Sequence, residues 1–235
     1  MSVDITDRIE ECITDKNRSI WDQLAPHYHF ELLLDKNEYS WKAKLEYGTA
    51  TIVTPTEMLC QSSFTHELLH IYVEHLGLSK YNDIVHAISG DESLLILTEG
   101  ELIAYIYNFS SHKKMYPFYR EMGFPDEKFV QSRIKFSRLD LFIISLSLKF
   151  NKTKPFAINQ FIGHSISLFN NVVTDDHAKC VKYLRKLERL NPSLYQIVSE
   201  FDDEWDSCSD LNLLEVFSEF EKRLNDWLIT NKIFS

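Results

Sequence analysis

Glycine and proline are scarce in this chain, six of each in 235 residues. That scarcity excludes collagen-like, disordered and repetitive all-β designs and favours long helices. Cysteine is also sparse: Cys12, Cys60, Cys180 and Cys208 lie far apart, form no Cys-x-x-Cys pair and read as core or surface thiols. Positive charge is in deficit, 25 Lys and Arg against 35 Asp and Glu. A formal net charge of -10 leaves no clustered cations for phosphate, which excludes nucleic acid as a partner. Long apolar runs are missing as well. Leu141 to Leu148 is the longest, it is broken by Ser145 and Ser147, and it is about half the roughly 20 residues a membrane span needs. The N-terminal MSVDITDRIEEC carries acids where an export signal would place basic and then apolar residues. Together these absences lead us to expect a cytoplasmic protein with no membrane association.

What the chain does hold is apolar periodicity, with 44% hydrophobic residues, enough for a sizeable core. Ile9, Ile13, Ile20 and Trp21 fall at helical spacing and predict a helix over 6–24, ending before Pro26. From Tyr28 the period changes to two. YHFELLL, a turn at Asp35-Lys36-Asn37, an alternating run from Trp41 to Tyr47, and a third run from Ala50 to Thr54 predict a small antiparallel sheet of three strands. After Pro55 the spacing is helical again, over 56–76, 80–88, 98–115, 126–150, 174–190, 193–203 and 210–230. Ser193 with Gln196 fits a capping box after Asn191-Pro192. The expected fold is α+β, mainly helical, with a core over 1–150 and a helical C-terminal region over 151–235. The boundary is placed at the run 151–156.

One run carries chemistry: His66-Glu67-Leu68-Leu69-His70. Helix positions i and i+4 lie one above the other, so His66 and His70 can aim two imidazole nitrogens at one point and clamp a metal ion. Glu67, a little over a quarter turn from His66, is placed to reach a water at that metal without ligating it, as a general base. Leu68, Ile71 and Tyr72 fall on the opposite face and can anchor the helix, while Gly77 is a candidate C-cap. The plain alternative is a core helix with two satisfied histidines. His27 and His29 also share a strand face, but a lone His-x-His pair is more often structural.

The order of sheet, His-Glu-x-x-His helix and downstream glutamates resembles the gluzincin branch of the zincin metallopeptidases, over about residues 40–115. The resemblance implies a zinc ion held by His66, His70 and a Glu on a following helix. It also implies an upstream edge strand that binds extended substrate, a role for Gly48 to Thr54. Two glutamates in the run 97–105 compete for the third ligand. Glu101, with Ala104 three residues on, resembles the Glu-x-x-Ala pattern of minigluzincins; Glu99-Gly100 resembles the Asn-Glu-Gly element of aminopeptidase-type members. We take Glu101, with Glu99 as the alternative. The chain departs from the family in having no Asp or Asn shortly after Glu101 and in a long interval between His70 and Glu101. Tyr105, His112, Tyr116 and His164 are candidate oxyanion donors.

The expected function is peptide-bond hydrolysis by a zinc-activated water with Glu67 as general base, by an endopeptidase rather than an aminopeptidase, on a specific intracellular protein. A non-catalytic zincin-fold regulator that binds a protein partner is the alternative. A zinc hydrolase of non-peptide substrates is a third possibility.

Overall fold

The run Thr49–Thr54 (β4) buries Ala50, Ile52 and Thr54 completely, and His29–Leu34 (β2) buries Phe30, Leu32 and Leu34, so both strands alternate with one face on a core. The two pair in parallel, His29 opposite Thr49 through Leu34 opposite Thr54. Lys42–Glu46 (β3) exposes Lys42, Lys44 and Glu46 and pairs antiparallel with β4. A short strand, Val3–Asp4 (β1), adds antiparallel to β2, giving the order β1-β2-β4-β3. The sheet is therefore mixed rather than antiparallel, and the Gly48–Thr54 strand expected at the edge is interior, with β3 outside it. Burial decides the order: the apolar β4 goes to the centre, whereas the Lys- and Glu-bearing β3 tolerates an edge. Tyr47 and Gly48, both at positive φ (48° and 83°), form the two-residue turn that sets Glu46 opposite Thr49.

The computed structural model describes residues 2–88, 102–129, 139–140, 143–147, 155–170 and 177–233. It is α+β and mainly helical. The helix expected over 6–24 is two pieces, a 3-10 turn over Thr6–Cys12 and α1 over Arg18–Leu24. The break is held by buried Asn17, which accepts from Thr14 N–H at 2.7 Å and donates to the Cys12 carbonyl at 3.0 Å and to Thr65 Oγ1 at 2.8 Å. Gln61–His75 (α2) is buried over Phe64–Leu69 and Ile71–Val73, so nearly its whole circumference is covered rather than one face. It ends in a Schellman motif: Leu78 N–H donates to the Val73 carbonyl at 2.9 Å and Gly77 N–H to that of Glu74 at 3.1 Å, with Gly77 at φ 117°. A Cβ at that φ is strained, so Gly77→Ala is expected to lower stability by about 1 kcal/mol in urea unfolding.

The remaining helices are α3 (Tyr81–Ile88), α4 (Leu102–Glu121), the single turn α5 (Asp126–Phe129), α6 (Pro155–Asn170), α7 (His177–Leu190), α8 (Pro192–Ser207) and α9 (Leu213–Thr230). The cap of α8 is Asn191, not Ser193: Asn191 Oδ1 accepts from Leu194 N–H at 3.1 Å, and Pro192 fills the first helical position. The chain divides into two compact units, Met1–Leu78 with Ser111–Ser132, and Ser79–Ser110 with Arg133–Ser235. In the second unit Phe201, Phe217 and Phe220 pack together between α8 and α9, and Trp205 Nε1 donates to the Ser110 carbonyl at 2.9 Å. Residues 151–154 of the expected boundary lie outside the described residues, as do Glu99 and Glu101. Among the described residues no helix is long and apolar enough to cross a membrane.

Candidate metal centre

His66 and His70 stand one turn apart on α2, their ring centroids 5.1 Å from each other. Facing them from α4, in the same unit, is His112. Its Nε2 lies 3.1 Å from His66 Nε2 and 3.2 Å from His70 Nε2. Three ring nitrogens thus converge, and His66 is only 6% exposed. Among the described residues this is the one group of three or more His, Cys, Asp or Glu side chains placed to hold a metal ion.

The donor set fits zinc. Nitrogens 2.0–2.1 Å from a tetrahedral ion stand about 3.3 Å apart, close to the separations found here. Neutral rings alone can satisfy the convergence only by sharing one proton or lone pair of His112 Nε2 between two partners, whereas a central cation takes all three lone pairs. Burial favours the ligating form: it lowers the pKa of His66 to about 4 and that of His112, with help from His66, to about 3. His70 is also held well below its ordinary value, by burial first and then by His112 and His66. Its outer nitrogen, Nδ1, lies 3.4 Å from the wholly buried Ser111 hydroxyl, which can accept from it and fix the ring with Nε2 inward. His66 Nδ1 is buried without a hydrogen-bond partner, so that ring is oriented by packing. Phe129 of α5 supplies the packing, its centroid 4.9 Å from His66 and 5.4 Å from His112, with Tyr116 and Tyr119 behind it.

Glu67 is 5% exposed. Burial raises its pKa to about 8, opposed by a hydrogen bond from the Ala43 backbone N–H on β3. The carboxyl of the central helix thus lies beside the sheet's edge strand.

The structure brings together His66 and His70 as the sequence predicts and adds His112, which the sequence offers only as a candidate oxyanion donor. His112 precedes buried Met115 and Tyr119 by three and seven residues, so it shares an apolar helical stripe with them. A histidine on such a stripe is the signal that was available. Tyr116 stays beside the site through Phe129, whereas Tyr105 and His164 belong to the second unit, where they line a cavity of about 870 Å³. His27 stacks on His75 at 4.9 Å and, among the described residues, joins no group of three. No family model, curated protein or solved structure matches the chain.

Proposed function

We propose that the chain is a zinc-dependent endopeptidase in which His66, His70 and His112 hold the ion and Glu67 is the general base. The convergence of three Nε2 atoms, with His112 Nε2 3.1 and 3.2 Å from the other two, carries this reading. Three protein nitrogens would hold the ion and leave it open to water or substrate, as in catalytic rather than structural zinc. Bound there, zinc supplies Lewis acidity towards a water and a carbonyl, and a charge that favours the ionised form of Glu67.

Glu67 has the environment of a proton carrier. In the metal-free protein its carboxyl keeps a proton at neutral pH. Once ionised, it takes a proton from the attacking water and returns it to the departing amine. Because β3 is an edge strand beside this carboxyl, an extended peptide can add along it with its backbone hydrogen-bonded, which favours peptides over compact non-peptide substrates. Four cysteines with no disulfide among them suit the reducing cytoplasm, where we place the reaction and its protein substrate.

Metal analysis tests the reading. Protein purified without chelators should hold about one zinc per chain and cleave a library of unstructured peptides internally, with both lost on dialysis against a chelator and restored by zinc. Protein without zinc that gains none from a zinc buffer overturns the proposal. Zinc at full occupancy with no cleavage of peptides or cytoplasmic proteins favours the non-catalytic regulator.

A further inference from the structure

Cys60 is the N-cap residue of α2, the helix that presents His66 and His70. It is half-buried, and its Sγ lies 3.2 Å from the Ser62 hydroxyl. Negative charge at that position faces the positive end of a 15-residue helix. The other three thiols have different surroundings. Cys12 and Cys180 are wholly buried, and burial holds Cys12 up at about 11. Cys208 is half-buried and its thiol donates to the Asp210 carboxylate at 3.0 Å, which with burial raises its pKa. At Cys60 burial also opposes ionisation. The hydroxyls and backbone N–H groups of Ser62 and Ser63, in the first turn of α2, outweigh it electrostatically and bring the thiol down to about 7, with the Ser62 hydroxyl the one in hydrogen-bond range.

A second feature points into the same place. The hydroxyl of Tyr119, on α4, is fully buried, makes no well-formed hydrogen bond, and lies within electrostatic reach of Ser62 and Cys60. A buried O–H left in that state forfeits its hydrogen bond to water, and an acceptor that extends from the sulfur would restore one. An oxygen on Cys60 is such an acceptor.

We propose that Cys60 is a modification site for hydroperoxides, converted to a sulfenic acid whose oxygen accepts a hydrogen bond from Tyr119. The thiolate sulfur attacks the terminal oxygen of the hydroperoxide. The S–O bond forms as the O–O bond breaks, sulfur gives up two electrons, and the second oxygen leaves as alkoxide or hydroxide and takes a proton from solvent. A small-molecule thiol can condense with the sulfenic acid to a mixed disulfide, releasing water, and a second such thiol then exchanges with it to return Cys60 to the thiol and leave as the oxidised disulfide.

The full-length protein treated briefly with hydrogen peroxide and a dimedone-type trap, then mapped by mass spectrometry, tests this. Cys60 should be labelled at least about ten-fold more than Cys12, Cys180 or Cys208. Tyr119→Phe should lower the trapped yield several-fold while leaving alkylation of Cys60 by iodoacetamide unchanged. Cys60→Ser should abolish the main adduct. Labelling of Cys60 no faster than that of Cys208 overturns the site, and an unchanged yield in Tyr119→Phe overturns the role of Tyr119. None of these readouts requires peptidase activity, so the assignment stands or falls apart from the proposed function.

Discussion

His112→Ala is expected to release the zinc. Chelator competition should show its affinity reduced by more than about 100-fold, beyond the 10–100-fold typical of losing a ligand's hydrogen-bond partner. His66→Ala and His70→Ala should match it, while Glu101→Gln and Glu99→Gln should bind zinc as the wild type does. The reason is geometric. His112 Nε2 is the atom that touches both other rings, at 3.1 and 3.2 Å, so its removal leaves two donors one turn apart and no third side. Substitution should also disturb the apo fold little, because His112 is half-buried and its ring, with a pKa near 3, is neutral at working pH. Circular dichroism of the metal-free variant, unchanged from wild type, would separate a lost ligand from a lost fold. Ser111→Ala provides the graded control: it removes only the acceptor 3.4 Å from His70 Nδ1, so its loss should fall within 10–100-fold. If Glu101→Gln lost zinc and His112→Ala kept it, the ligand set taken from the family resemblance would replace the one proposed here.

The metal pair was legible because it is local. His66 and His70 are one helical turn apart, and periodicity alone puts them on one face. His112 is not local: it lies 42 residues beyond His70, on a different helix, and only the packing of α4 against α2 turns it inward. The same distinction runs through the sheet. Alternation showed that 29–34, 42–46 and 49–54 are strands, since burial on one face leaves a period of two. It could not show their order, because the turn at Asp35 reads the same whether the chain folds straight back or crosses over to leave room for β4. Competition for the centre of the sheet settles that order: Ala50 and Ile52 are fully buried, and the lysines of β3 are not. The two-piece start has a similar cause. Ile9, Ile13 and Ile20 fit one helix by spacing, but buried Asn17 diverts backbone groups to its side chain, and a side chain competing for backbone hydrogen bonds is invisible to periodicity.

Glu67→Gln should separate the roles of the central carboxyl, because metal content and turnover should respond differently to it. Zinc content should stay at about one per chain, because Glu67 is not among the converging donors, while turnover should fall by about 10²–10⁴-fold, the usual contribution of a positioned base. Stability of the metal-free protein should rise on the alkaline side. Glu67 ordinarily ionises near 4.5, and in the fold it holds its proton to about 8. Between those values the unfolded chain binds fewer protons than the native one, so this group makes stability fall as pH rises. The three histidines act the other way. Their folded values lie below the ordinary 6.5, His66 at about 4 and His112 at about 3, so they cost stability as pH falls from 6.5. Below 6.5 three rings outweigh one carboxyl; above it the carboxyl costs stability, while the Cys60 thiol, brought down to about 7, returns part of it as pH passes that value. Metal-free wild type should therefore be most stable near pH 6.5 and, relative to Glu67→Gln, which shares the Cys60 contribution, lose about 2 kcal/mol by pH 8, at about 1.4 kcal/mol per pH unit. Glu67→Gln, neutral throughout and still able to accept from Ala43 N–H, should show no alkaline decline. Urea midpoints at pH 6.5 and 8 for both proteins, with and without zinc, decide it. A parallel decline in the variant would mean that Glu67 is ionised in the empty site, and its part as a metal-activated base would then be wrong.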